Sequence, residues 1–150
     1  MPFDFVKNPE LRNSEMDEFY LESPHKQIFE DFPAKCVKVV DGDTLRLMWS
    51  ERDFDFPIRI RGIIDSEMRE ARGKEVQRWV KNLLLDKNVD ILIDPGNRVE
   101  KWGRLLGDVL IDGLDVGEIL MQNGMATTFE ARDEGKFPIE NKLFSIKQWY

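Results

Sequence analysis

Three strand-like runs, a long amphipathic helical stretch and two further strand-like runs, in that order, predict an α+β chain that is mainly β. Two observations carry this. Apolar residues alternate with polar ones through Thr44–Trp49 and Phe56–Ile63, the period of a half-buried strand. Between residues 69 and 86 the period changes, and Val76, Trp79, Val80, Leu83 and Leu84 fall on one helical face.

The first strand is Cys36–Val40, β-branched and apolar, interrupted by Asp41-Gly42, a hairpin-turn pair. In the second, Leu45, Leu47 and Trp49 share a face; in the third, Ile58 and Ile60 face one way and Arg59 and Arg61 the other. The helix follows over 69–86. Val89, Ile91 and Ile93 mark a fourth strand closed by Pro95-Gly96, and Arg104–Ile111 a fifth ending at Asp112-Gly113. A second helix is expected over Leu114–Asn123 with Gly124 as its stop, and a third over Ile139–Tyr150 after Pro138. Antiparallel hairpins with a helix inserted after strand three fit a five-stranded Greek-key barrel with two to three helices, the OB-fold.

Residues 1–33 show no sustained period and mix four prolines, scattered aromatics and acids, with a short helix around Glu15–Leu21. They read as an acidic N-terminal extension, and residues 34–150 as the folded domain. The extension holds eight acids and three bases, −5 of the chain's −7, which leaves −2 for residues 34–150. Overall acidity argues against strong sequence-blind duplex binding, yet a local basic patch in the domain is compatible with that balance. Two roles are open for the extension: a tail whose aromatics dock on the domain, or an acidic segment that covers a basic site or recruits a protein partner.

With one cysteine, Cys36, the chain has no internal disulfide framework and no cysteine-rich zinc site; Cys36 is expected as a small core residue. The single histidine, His25, is expected to be solvent-exposed in a Ser-Pro-His-Lys loop. No apolar run reaches membrane-spanning length and no secretory signal is recognised, so no membrane partner is expected and the location is read as cytoplasmic or unknown.

Three separated segments supply what metal-assisted attack on a phosphodiester requires: Asp41-Gly42-Asp43-Thr44, Arg59 through Glu67, and Lys101-Trp102-Gly103-Arg104. Two arginines can stabilise charge on a five-coordinate phosphorus, carboxylates can hold a hard cation, and a further carboxylate can orient water. Each segment also has an ordinary structural reading. Asp41-Gly42 can simply turn a hairpin, Arg59 and Arg61 can form a solvated strand face, Glu67 can cap a helix, and Gly103-Arg104 can open an edge strand.

Taken together, Val39-Val40-Asp41-Gly42-Asp43-Thr44, Arg59-Ile60-Arg61-Gly62-Ile63, Gly96-Asn97-Arg98 through Gly103-Arg104, and Asp115-Val116-Gly117-Glu118-Ile119-Leu120 with Asn123-Gly124 resemble the staphylococcal nuclease-like (thermonuclease) family, from about Pro33 to Gly124. The resemblance implies a calcium-dependent nuclease of single-stranded DNA and RNA. It makes Asp43 a calcium ligand and Asp41 a supporting carboxylate. Arg59 and Arg104 would hold the phosphate, and Glu67 would orient or deprotonate the water. Lys101 and Trp102 would lie near the nucleotide, where an aromatic ring can stack on a base.

The departure from the family pattern is Gly62-Ile63-Ile64-Asp65-Ser66-Glu67, which puts Ile64 where the second metal-binding aspartate is usual. On a straight strand Arg59, Arg61, Asp65 and Glu67 share a face, which lets Asp65 take over as ligand and Arg61 face the nucleic acid. Glu130 and Arg132 stand where better-known members have nucleotide-clasping tyrosines, and Phe129 is a neighbouring candidate. The alternative function is a weakened or inactive module of the same fold that binds nucleic acid or a protein.

Overall fold

A computed structural model describes residues 4–5, 7–65 and 70–128; for 63–65, 70–72 and 127–128 the description is of the backbone. The predicted third helix, Glu67, Phe129, Glu130 and Arg132 lie outside the described residues.

Five strands close into a barrel: β1 (Phe32–Val39), β2 (Thr44–Met48), β3 (Phe56–Ile60), β5 (Asn88–Leu92) and β6 (Leu105–Ile111). Neighbours run β3-β2-β1-β5-β6, all antiparallel, and a parallel β3–β6 pairing, Ile58 opposite Leu105, completes the ring. Alternation placed the core correctly. Leu45, Leu47, Phe56, Ile58, Ile60, Val89 and Ile91 are all buried inside. A Cβ on Gly107 would lie 2.7 Å from Ile91 Cγ2 and 3.0 Å from Ile58 Cδ1, so only glycine lets β6 approach this closely. Because β6 is paired on both sides, it is not the edge strand that Gly103-Arg104 alone could have opened.

The third strand does not run straight. It ends at Ile60, Gly62 takes φ +81°, and a separate strand β4 (Ile63–Asp65) pairs with β8 (Ala126–Thr128) in a second sheet. The left-handed turn at Gly62 interrupts the straight strand on which a shared face was expected, so Arg59 and Asp65 stand on separate strands.

Helix α2 (Glu70–Leu84) buries Val76, Val80 and Leu84 on the core, with Trp79 and Leu83 packed alongside. Gln77 Nε2 donates to the carbonyls of Val39 and Val40, which ties the helix to the start of the β1–β2 turn. The second predicted helix begins two residues later than expected. Leu114–Asp115 form a short strand, β7, against β6, and Asp115 then caps α3 (Val116–Gln122) by accepting the Glu118 amide at 3.1 Å. Gly124, φ +70°, stops α3 as predicted. Among the described residues no helix is long and apolar enough to cross a membrane.

The segment before β1 is packed against the barrel. It forms 3₁₀ turns at Asn13–Glu15 and Tyr20–Glu22 around the short α1 (Met16–Phe19), close to the predicted helix. Leu11 and Ile28 are buried, and its anchor is a carboxylate. Glu10, 1% exposed, sits between Arg52 and Arg98, pairing with Arg52 Nη2 and accepting from Arg98 Nη2 at 2.8 Å and from the Ile28 amide at 2.7 Å. Burial lowers the Arg98 pKa and Glu10 opposes the shift. Arg52 also lies 4.6 Å from the Phe56 ring centroid, so an aromatic face meets guanidinium edges that lack hydrogen-bond partners among the described residues. His25 is half-buried, its ring 5.3 Å from Phe54 and 6.2 Å from Phe5, and burial lowers its pKa. The expected solvent-exposed histidine is therefore corrected: flanking aromatics fold over it. Cys36 is buried, as expected, and burial pushes its thiol pKa up to about 11.

Candidate active site

The β1–β2 turn builds the first wall. Asp41 Oδ1 accepts the Asp43 amide at 3.1 Å, a side-chain-closed turn that tolerates the tight reversal, and the Asp43 carbonyl accepts the Ile60 amide at 2.8 Å. The turn reading of Asp41-Gly42 and the site reading are thus compatible, because the turn is what presents Asp43. Thr44 lies opposite Arg59 in the β2–β3 register, which brings Arg59 Nη2 to 3.4 Å from Asp43 Oδ2.

The loop between β5 and β6 builds the facing wall and ends in Arg104. The Glu100 carboxylate receives the Arg104 amide at 2.8 Å and the guanidinium Nε and Nη2 at 3.3 Å each. Arg104 Nη1 donates to Thr44 Oγ1 at 2.9 Å, and that hydroxyl donates to Asp43 Oδ1 at 2.9 Å. A continuous chain, Glu100–Arg104–Thr44–Asp43–Arg59, therefore joins the two arginines through one hydroxyl and one carboxylate. Thr44 and Glu100 were missed as site residues. Thr44 stood inside the quoted motif, but Glu100 pairs with Arg104 across a loop, where four-residue spacing carries no helical meaning.

A cleft of about 690 Å³ lies over this chain, lined among others by Asp43, Arg59, Arg61, Lys101, Trp102 and Arg104. Its lining holds four cationic side chains against the two carboxylates of Asp43 and Glu100, a local positive field on a chain of net −7. Trp102 is 70% exposed, with Lys101 Nζ 5.3 Å from its ring centroid, so its face is available to a planar ligand. Arg61 reaches the cleft while paired with Asp108, and its pKa is raised chiefly by that hydrogen bond; Asp94 lies 3.9 Å away.

Of the sequence-predicted residues, Asp43, Arg59, Arg61, Lys101, Trp102 and Arg104 line one cleft, and Asp41 supports it from behind. Asp65 is placed as backbone opposite Ala126. The described oxygens suit a hard divalent ion by type, since Asp41 and Asp43 are carboxylates beside the cleft. They do not complete a site: among the described residues no group of three acidic, histidine or cysteine side chains could hold a metal.

Comparison with known proteins agrees with this geometry. Residues 57–148 match the family described as staphylococcal nuclease homologue. An uncharacterized endonuclease of Escherichia coli is 30% identical over 101 residues, covering 67% of this chain and 63% of the relative. Endonuclease YncB of Bacillus subtilis is 26% identical over 95 residues, 59% of this chain and 44% of the relative. A probable staphylococcal-like nuclease, CAN2, of Oryza sativa is 30% identical over 79 residues, 53% of this chain and 21% of the relative. The chain spans less than two thirds of the length of these relatives. With its barrel, its converging arginines and a matched region of more than half its length, this chain belongs to the staphylococcal nuclease homologue family.

Proposed function

We propose that this chain is a calcium-dependent nuclease that hydrolyses phosphodiester bonds of single-stranded DNA or RNA. The observation that carries the reading is the placement of Arg59 and Arg104 on either side of Thr44 and Asp43 in one cationic cleft. Both guanidiniums are held by carboxylates in the cleft wall, Arg59 by Asp43 and Arg104 by Glu100. A phosphate oxygen that enters the cleft can take the place of Glu100 as acceptor for the Arg104 guanidinium, whose side chain is 31% exposed. Arg104's planar fork then meets two phosphate oxygens, while Arg59 meets the phosphate from the Asp43 side.

In hydrolysis a water oxygen bonds to phosphorus, the bond to the leaving oxygen breaks, and the water proton passes to a base. Glu67 takes that role, as its family position suggests. The two arginines stabilise the charge that gathers on the phosphoryl oxygens, more strongly in the transition state than in the bound diester. Asp43 and Asp41, with Asp65 as the replacement for the aspartate displaced by Ile64, would hold calcium, which would supply a Lewis acid toward a phosphoryl oxygen. Trp102 stacks on a base and Lys101 and Arg61 draw in the backbone. A flexible single strand can bend into a cleft of this size, whereas a rigid duplex presents a broader face.

The test is incubation of the protein with a single-stranded oligonucleotide in calcium and then in chelator. Cleavage that chelator stops and Glu67→Gln abolishes is the expected result. Tight binding without cleavage in calcium, magnesium or manganese would assign the chain to the non-catalytic modules of the fold.

A further inference from the structure

The loop that carries Lys101, Trp102 and Arg104 is held from two sides. On one side its root is stitched to β6: the Arg98 carbonyl accepts the Leu106 amide at 2.7 Å, and Val99 bridges Leu105. On the other side the Arg98 side chain, 1% exposed as a residue, turns away from the cleft into the N-terminal segment. There Nη2 donates to Glu10 Oε1 at 2.8 Å, Nη1 to the Leu11 carbonyl at 2.7 Å and Nε to the Ile28 carbonyl, with the Phe29 ring centroid 4.0 Å from the guanidinium carbon.

Two further contacts bracket the same loop. Asn13 Nδ2 donates to the Pro95 carbonyl at 3.1 Å. At the other end Gly103 takes φ +90°, and a Cβ built there would lie 2.5 Å from Asn8 Oδ1. Asn8 therefore sits where a side chain at residue 103 would be, and glycine serves both the left-handed backbone and the close approach. Gly103 is followed directly by Arg104, whose amide binds Glu100.

We infer that residues 8–13 are a positioning element of the active site. Glu10, acting through Arg98, and Asn8, seated on Gly103, fix the 94–104 loop and so set where Arg104 and Trp102 stand over the cleft. None of the described N-terminal residues lines that cleft, and the Glu10 carboxylate is spent internally on two arginines. The segment acts as a buckle behind the site, not as an acidic cover over it. What the loop does rests on the nuclease reading above; how it is held does not.

The experiment is amide hydrogen exchange by NMR on the full chain without substrate, in Asn8→Ala and in Glu10→Gln. Gly103 and Arg104 amides, bonded to the Glu100 carbonyl and carboxylate, report the loop, and the Cys36 amide, bonded to the Lys87 carbonyl, reports the barrel. In Asn8→Ala exchange at Gly103 and Arg104 should quicken about tenfold with Cys36 unchanged, a local opening and not global unfolding, whereas in Glu10→Gln the stranded guanidiniums quicken Cys36 as well. On a single-stranded oligonucleotide, kcat should fall roughly ten- to a hundredfold, the scale for a misplaced group, with KM little altered. In Asn8→Ala, loop exchange at the wild-type rate, or a rise only in step with Cys36, would overturn the inference. Should Glu10→Gln fail to fold, Asn8→Ala leaves the buried ion pairs intact and decides alone. Because exchange is read without substrate, a wild-type chain that cuts nothing would refute the nuclease reading and leave this inference standing.

Discussion

Replacing Glu10 with alanine should be among the most destabilising single changes in this chain, although the residue belongs to neither the barrel nor the cleft. The carboxylate serves two guanidiniums whose side chains are 1% and 0% exposed, those of Arg52 and Arg98, and also the Ile28 amide. Its removal leaves two adjacent buried cations and one unsatisfied donor. Breaking a single buried pair by removing one partner costs about 3–5 kcal/mol. One acid shared by two cations puts the expected loss at the upper end of that range, against a total stability of about 5–15 kcal/mol. For a chain of this size each kcal/mol shifts the midpoint by roughly 2–4 °C, so Tm should fall by about 10 °C or more. Urea denaturation followed by far-ultraviolet circular dichroism, for wild type, Glu10→Ala, Arg98→Met and the double variant, measures the loss and the coupling. The double variant should lose less than the two single losses combined, because it strands only Arg52. A Glu10→Ala loss below about 1 kcal/mol would mean that the carboxylate is solvated, and the reasoning about the N-terminal segment would fail with it.

Arg104→Lys keeps the charge but loses the fork between Glu100 and Thr44, and should lower kcat about 10²–10³-fold with stability nearly unchanged, read by steady-state cleavage beside a melt. Trp102→Ala should weaken oligonucleotide binding by about 1–3 kcal/mol in a fluorescence-anisotropy titration while leaving Tm alone, since the ring is 70% exposed. Cys36 gives a pH signature. Its thiol pKa rises from 9.0 to about 11 on folding, so stability is intact below pH 9 and falls between 9 and 11 as the unfolded thiol ionises first, by roughly 2–3 kcal/mol. Cys36→Ala should lack that part of the alkaline loss in denaturation curves taken across the interval. Gly107→Val should destabilise by about 1–3 kcal/mol or more, because its side chain would collide with Ile91 and Ile58; equal denaturation midpoints would contradict the packing of the closed barrel.

The barrel was legible because its signals are local. Leu45, Leu47, Ile58 and Ile60 alternate within single strands, Asp41-Gly42 marks a turn in two residues, and Gly124 stops a helix where a left-handed residue is needed. The convergence of Arg59, Asp43 and Arg104 was legible through the ordered motifs, which stand for contacts between strands. The strand break was less so, because an alternating run through Gly62 looks continuous until a positive φ turns it. What holds the N-terminal segment was not legible at all. Glu10 meets Arg52 and Arg98 across 42 and 88 residues, and no period or spacing announces a contact of that range. Its acidity suggested a solvated or partner-seeking tail, whereas its key acid is neutralised inside the fold.

The most direct measurement of the central claim is a crystal structure of the protein with calcium and a nucleotide diphosphate. Both guanidiniums, Arg59 and Arg104, should contact the same phosphate, with an Asp43 carboxylate oxygen on the ion and the base against Trp102. A phosphate bound elsewhere on the surface, with Arg104 still closed on Glu100 and Thr44, would contradict it.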